Sequence, residues 1–264
     1  MKARKRFGQH FLEPAWVAKV LPALSPHATD TFLEIGPGRG ALTLPLAARV
    51  HQVIAVEVDR DLAGDLRRHA PGNVRIVEGD VLVMDLAGAL PEAAPAAFRV
   101  AGNLPYNISS PILARLFQLY DRGPRPVDLT LMLQREVADR LGAAAGTREY
   151  GVLSIAAQRR AHVERLLDLP PGAFRPAPKV HSALIRLTFR TPDEAITVPE
   201  DFDDLVRSVF GQRRKRLSNA LKPFADGTGR SAAGALDAAG VDPERRPGTL
   251  SVREFVALAS ALAR

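Results

Sequence analysis

Thr31-Phe32-Leu33-Glu34-Ile35-Gly36-Pro37-Gly38-Arg39-Gly40 decides the fold of this chain. An apolar run of strand length enters a turn with glycine at alternate positions, and Ala41 to Ala48 continues as a helix. Glycine admits positive φ and lets the main chain come close to a ligand, so strand, turn and helix together open a binding site. A dinucleotide loop reads G-x-G-x-x-G. The shorter G-x-G-x-G found here argues against a pyrophosphate. The next run, Gln52 to Val56, ends at Glu57, about twenty residues past the first glycine, where an acidic side chain takes a ribose diol. A third run, Val74 to Glu78, ends at Gly79-Asp80, whose carboxylate can accept from an adenine amino group. A glycine loop, a ribose carboxylate and an adenine carboxylate at successive strand ends fit S-adenosylmethionine better than NAD or ATP.

A fourth apolar run, Phe98 to Ala101, leads into Asn103-Leu104-Pro105-Tyr106. The amide oxygen of Asn103 and the main-chain carbonyl of Pro105 can each accept an N–H from an exocyclic amine. Tyr106 can lie against a flat ring. Beside a methyl donor, this cluster points to amine methylation of a base, N6 of adenine. That nitrogen is a poor nucleophile because its lone pair is delocalised, yet it needs no deprotonation before attack. Orientation is the main demand, and no general base is assigned. Each motif alone reads as an ordinary turn or helix cap. Their order, at the carboxyl ends of consecutive strands, is what open parallel sheets use to bind ligands.

Alternation of apolar runs with helical segments (Leu62 to His69, Pro111 to Tyr120) predicts a doubly wound, Rossmann-like α/β sheet. A helix over Pro14 to Leu24 precedes it. Another starts near Arg135, and Ala183 to Phe189 closes the sheet as an antiparallel edge hairpin. Segments 91–97 and 143–147 read as loops. Near Thr191 the pattern becomes purely helical. Three domains are therefore expected: a flexible basic arm over 1–12, a methyltransferase domain over 13–190 and a helical RNA-binding domain over 191–264. In the last, Val206, Val209, Phe210, Leu217, Leu221 and Phe224 form an apolar stripe at helical spacing, interrupted by Arg213-Arg214-Lys215-Arg216. Ser251 and Glu254 make a capping box for the final helix.

The chain has 264 residues, net charge +7 and no cysteine. That length accommodates one α/β domain with a small appendage. Zero cysteines exclude disulfides, thiol catalysis and a Cys-based zinc site. The positive charge favours a polyanionic partner. No apolar run is long enough to span a bilayer, and no apolar core follows the basic start as in a signal peptide. A cytoplasmic monomer without membrane contact or metal is expected. Arg213, Arg214, Lys215 and Arg216 are candidate phosphate ligands.

Five stretches carry a family resemblance: Phe7-Gly8-Gln9-His10-Phe11-Leu12, Glu34 to Gly40, Val56-Glu57-Val58-Asp59, Gly79-Asp80-Val81-Leu82 and Asn103 to Pro111. Phe174-Arg175-Pro176-Ala177-Pro178-Lys179-Val180-His181-Ser182 completes the set. The chain resembles the rRNA adenine N6-dimethyltransferases, the KsgA/Erm family, over nearly its whole length. The resemblance implies that His10 and Leu12 line the methionine end of the donor. Gly36, Gly38, Glu57, Asp80, Val81 and Asn103 complete the donor site. It further implies that Phe174 stacks opposite Tyr106 on the flipped adenine, that two methyls are added, and that Lys5 and Arg6 meet RNA from the basic arm. The family pattern often has Asn where this chain has His10. Leu104 and the long C-terminal region, neutral overall but with its bases clustered at 213–216, resemble the small-subunit branch, which acts on 16S rRNA in subunit assembly intermediates. The Erm resistance enzymes usually carry Ile at the position of Leu104. A large-subunit (23S) methylase, a non-catalytic assembly or nucleic-acid-binding factor and a DNA adenine methylase are the alternatives.

Overall fold

The computed structural model describes residues 9–90 and 98–263. In chain order the elements are β1 (Phe11–Leu12), α1 (Pro14–Ala23), β2 (Thr31–Ile35), α2 (Thr43–Ala47), β3 (Gln52–Glu57), α3 (Arg60–His69) and β4 (Val74–Glu78). Then come α4 (Leu86–Ala89), β5 (Phe98–Asn103), α5 (Ser109–Arg122), β6 (Pro126–Gln134), α6 (Arg135–Gly142) and α7 (Val152–Gln158). β7 (Ala161–Leu169), β8 (Phe174–Arg175) and β9 (Ser182–Phe189) complete the strands. The helices α8 (Phe202–Gly211), α9 (Leu217–Ala220), α10 (Lys222–Thr228), α11 (Ala232–Ala238) and α12 (Val252–Leu262) end the chain. Two compact units result: residues 1–138 with 162–189, and 139–161 with 190–264. The second unit thus draws in residues 139–161, which the sequence boundary near Thr191 left with the first domain.

The first unit is built on a seven-stranded sheet ordered β4-β3-β2-β5-β6-β9-β7. β4 through β6 are parallel, and β9 runs antiparallel to β6. β2 and β3 are buried almost throughout because helices cover parallel strands on both faces, which is why they read as continuous apolar runs. The expected edge strand over 183–189 is instead internal, and β7 forms the edge. Solvation explains the miss: β7 carries His162, Glu164, Arg165 and Asp168 among its apolar residues, so its pattern is half polar. A second small sheet pairs β1 with β8, Phe11 opposite Arg175 and Leu12 opposite Phe174. The Glu13 N–H extends this pairing by donating to the Ala173 carbonyl at 2.9 Å. Residues 11–12, expected within a flexible arm, are therefore a strand. Residues 1–8 of that arm, including Lys5 and Arg6, lie outside the described residues, as does the 91–97 loop.

One buried cation ties the amino end of the sheet together. The Arg99 guanidinium donates to both oxygens of Asp128 (2.6 to 3.1 Å), to Asp30 Oδ2 (2.9 Å) and to the carbonyls of Leu24 (2.7 Å) and Ser25 (2.9 Å). It also lies 4.9 Å from the Phe32 ring centroid. Arg186 of β9 adds a bond to the Ala23 carbonyl. The end of α1 is thereby fixed under β2, β5 and β6. The apolar face above this clamp contains Val20, Leu24, Phe32, Leu46, Val53, Ala101, Met132 and Leu184.

The second unit packs Tyr150, Phe202, Leu205, Val209, Leu217, Leu221, Phe255 and Leu258 into one core. The Tyr150 hydroxyl donates to the Leu250 carbonyl at 2.8 Å, and burial pushes its pKa up to about 12. The predicted capping box forms: Ser251 Oγ accepts from Glu254 N–H, and the Glu254 carboxylate accepts from Ser251 N–H. Arg245 holds that carboxylate, drawing its pKa down to about 2. The apolar stripe is divided among α8, α9 and α10. Residues 213–216 occupy the turn between α8 and α9, not the helix face expected from their spacing.

Replacing Arg99 by Met should cost about 3 kcal/mol, because buried Asp128 would keep only the more distant Arg186 guanidinium at 3.8 Å and half-buried Asp30 would lose its cation. Urea denaturation at neutral pH measures this; a loss below about 1 kcal/mol, the scale of an exposed pair, would show that the clamp is dispensable.

Candidate active site at the switch point of the sheet

β2 and β5 are neighbours, yet the chain leaves β2 toward β3 on one side and reaches β6 from β5 on the other. The crevice at such a reversal is where doubly wound sheets bind ligands. Gly102 lets the two strands meet: a side chain there would come within 2.7 Å of the Ile35 carbonyl. A cleft of about 270 Å³ opens at their carboxyl ends. Its wall includes Gly36 and Gly38 after β2, Glu57 after β3, Asp80 and Val81 after β4, and Asn103 to Tyr106 after β5. His10 and Leu12 close it from β1.

Positive φ at Gly36 (69°), Gly38 (58°) and Gly40 (79°) bends the loop away from β2, a conformation that glycine alone adopts without strain. The Glu57 carboxylate holds that bend. Its Oε2 accepts from the Gly38 N–H at 3.0 Å and its Oε1 from the Asp59 N–H at 2.9 Å. Burial raises the Glu57 pKa, against the pull of these two N–H groups. Asp59 in turn caps α3 by accepting from the Asp61 N–H at 3.1 Å. Asp80 Oδ1 accepts from the Leu82 N–H at 2.9 Å, fixing a tight turn that presents Val81 and Leu82 to the cleft.

At the other end, Asn103 Nδ2 donates to the main-chain oxygen of His10 at 2.6 Å. With the amide nitrogen so placed, Oδ1 is left as the acceptor. The Pro105 carbonyl receives the Ile108 N–H at 3.1 Å and keeps a second lone pair. The Tyr106 hydroxyl meets Ser182 Oγ at 2.5 Å, and burial raises its pKa, opposed by that serine. The His10 ring stacks on Tyr106 with centroids 5.3 Å apart and planes inclined at 23°.

Glu34 is the residue that sequence reasoning passed over. It lines the cleft at 2 % exposure, and its Oε2 has no hydrogen-bond partner among the described residues. Burial pushes its pKa up to about 7, with the Thr43 hydroxyl opposing and the Glu57 carboxylate adding to the rise. The signal was a single carboxylate inside an otherwise apolar strand. Glu34 and Glu57 thus place two carboxyl groups in the cleft wall.

The structure gathers His10, Leu12, Gly36, Gly38, Glu57, Asp80, Val81, Asn103, Pro105 and Tyr106 around this one cleft. Phe174, expected to stack on the base opposite Tyr106, is placed apart from these. It is 0 % exposed, packs in the sheet core with Leu12 and Val17, and does not line the cleft. Among the described residues no cluster of His, Cys, Asp or Glu is placed to hold a metal, and no helix is long and apolar enough to cross a membrane.

A glycine loop held by a strand-end carboxylate at the switch point of this sheet defines an S-adenosylmethionine-dependent methyltransferase. The model of the family described as ribosomal RNA adenine dimethylase matches residues 1–263. The "Ribosomal RNA small subunit methyltransferase A" of Aromatoleum aromaticum is 43 % identical, covering 99 % of this chain and 95 % of its own length. The protein of the same name from Acinetobacter baylyi is also 43 % identical over 99 % of this chain and 93 % of its own. A dimethyladenosine transferase from Plasmodium falciparum superposes with a TM-score of 0.78 at 25 % identity, over 94 % of this chain and 96 % of that one. A 23S rRNA methyltransferase, ErmE, gives 0.69 at 25 % identity, over 96 % and 99 %. The chain belongs to the ribosomal RNA adenine dimethylase family, and it is an rRNA adenine dimethyltransferase.

Glu34 makes the donor-free protein pH-sensitive. Its carboxyl titrates at 4.5 when unfolded and about 7 when folded, so the folded state holds the proton more tightly. The stabilisation is complete below pH 4.5 and is lost as pH rises toward 7, up to about 3 kcal/mol. Glu34→Gln should flatten this fall in denaturation profiles recorded without donor; an unchanged slope would assign it to other groups.

Proposed function

We propose that the protein dimethylates N6 of two adjacent adenines near the 3′ end of 16S rRNA, acting as a monomer on a small-subunit assembly intermediate in the cytoplasm. The observation that carries the base chemistry is the orientation of Asn103: its amide nitrogen is held by the His10 carbonyl, which leaves Oδ1 to accept from an incoming amine. The branch rests on the relatives named small-subunit enzymes. Their identity to this chain is well above that of the 23S enzyme.

When bound, S-adenosylmethionine supplies an electrophilic methyl on a sulfonium. The chain's own part is binding and aim. Glu57 takes the ribose hydroxyls and Asp80 the adenine amino group of the donor. Gly36 and Gly38 offer main chain, and Leu12 and Val81 give apolar walls. Asn103 Oδ1 and the Pro105 carbonyl accept the two N6–H groups of the target base and favour a more tetrahedral nitrogen, whose lone pair then faces the methyl. Tyr106 stacks on the base, an interaction worth about 1–3 kcal/mol. Fixing this geometry is the rate-enhancing step, since attack needs no prior loss of a proton. A second transfer requires the monomethylated amine to rotate and present its lone pair again.

The RNA surface divides by what each cation already holds. Arg213 donates to the carbonyls of Thr147 (3.0 Å) and Arg148 (2.7 Å), and Arg216 pairs with Glu244. Arg214, Lys215 and Arg148 are exposed and are the better phosphate ligands. Lys5 and Arg6, outside the described residues, are the further cations assigned to RNA.

Three outcomes follow. Asn103→Ala should abolish transfer and keep donor affinity, whereas Glu57→Ala should weaken donor binding. Calorimetric titration separates the two, and equal loss in both would undo these roles. Changing Arg214 and Lys215 to Ala should reduce the slope of log affinity against log salt by about 2; an unaltered slope would mean that this turn is only solvated. Labelled donor should mark small subunits that lack the family's methyl groups. Label in protein-free large-subunit rRNA instead would place the chain with the Erm enzymes.

A further inference from the structure

The resemblance gives His10 to the donor, but its contacts lie with the acceptor machinery. The imidazole stacks on Tyr106 at 5.3 Å and 23°. Its Nδ1 lies 2.6 Å from the Pro176 carbonyl; a carbonyl only accepts, so Nδ1 carries the proton and the ring plane is pinned from outside the stack. The main-chain oxygen of the same residue receives Asn103 Nδ2. At the far end of Tyr106, the hydroxyl is held by Ser182 Oγ, a fully buried group at the start of β9. β9 is paired there with Gln134 of β6, so Ser182 stands on rigid sheet.

We infer that His10 and Ser182 are positioning residues that hold Tyr106 in one orientation for the target base, His10 by backing its ring and Ser182 by fixing its hydroxyl. This rests on the reading that Tyr106 stacks on the adenine. A phenol ring attached to a turn can rotate about two side-chain bonds. One stacked face and one anchored hydroxyl remove both freedoms before the base arrives. Asn103 and Tyr106 are then set by a common support, because His10 contacts the first through its carbonyl and the second through its ring. The acceptors for the amine and the platform for the base move together or not at all. Such pre-alignment is what a positional reaction requires, since a displacement of about 1 Å can cost a hundredfold in rate.

The test is a set of mutant cycles on the full-length protein, with S-adenosylmethionine and undermethylated small subunits. His10→Ala and Ser182→Ala should each lower the rate of methyl transfer roughly ten- to a hundredfold, while Ser182→Ala, outside the cleft wall, leaves donor Kd by calorimetry at the parent value. His10→Phe, which keeps a stacking ring but loses the bond to Pro176, should recover most of the rate. In a Tyr106→Ala background, neither His10→Ala nor Ser182→Ala should lower the rate further, because both act through the missing ring. Losses that multiply in full in that background would overturn the inference, as would a donor Kd that weakens in step with transfer in Ser182→Ala. Tyr106→Ala working at the parent rate would remove the stacking role itself, and the inference with it.

Discussion

Asn103 and His10 stand far apart in the chain and meet through one short hydrogen bond, from the amide nitrogen to a main-chain oxygen at 2.6 Å. A carboxamide that donates in one direction presents its acceptor in another, and here that acceptor is left for the cleft. Were the amide reversed, its N–H groups would face an incoming amine, and donor would oppose donor. The bond also needs β1 in place. β1 pairs with β8, and the α1 segment that follows it is clamped under the sheet by Arg99 and Arg186. The polarity of the acceptor site thus depends on packing at the opposite end of the strands.

Glu57 performs a comparable double task on the donor side. A carboxylate buried at a strand end needs partners, and two main-chain N–H groups, from Gly38 and Asp59, provide them. The same contacts set the curvature of the glycine loop and the start of α3. Loop, ribose carboxylate and helix therefore form one hydrogen-bonded assembly. Glu34, one strand over, has only the Thr43 hydroxyl to set against its burial. Its raised pKa measures the cost of burying a carboxyl without a counter-charge.

Much of this was legible beforehand, for a physical reason. Gly36, Gly38, Glu57, Asn103, Pro105 and Tyr106 stand where the buried strands β2, β3 and β5 end, and those strands advertise themselves as apolar runs; Asp80 follows the half-exposed β4. Local chemistry also sufficed for the Ser251–Glu254 capping box, whose partners are three residues apart. What escaped depends on non-local pairing or on solvent. β1 and β8 have two residues each and exist only through each other. β7 is half polar because it lies at the edge. Phe174 matches its motif, and its burial beside Leu12 and Val17 depends on the β1–β8 pairing. The basic run at 213–216 keeps helical spacing with its neighbours and still forms a turn, where Arg213 and Arg216 are engaged by protein groups.

The central claim is that this cleft presents two acceptors to an exocyclic amine of adenine. Its most direct test is the chemical identity of the product nucleoside. The protein should be incubated with labelled S-adenosylmethionine and undermethylated small subunits, and the RNA digested and resolved by mass. The account predicts N6,N6-dimethyladenosine as the labelled nucleoside. Label on a ring nitrogen, such as 1-methyladenosine, or on a different base would contradict it, because neither places an amine against Asn103 and Pro105.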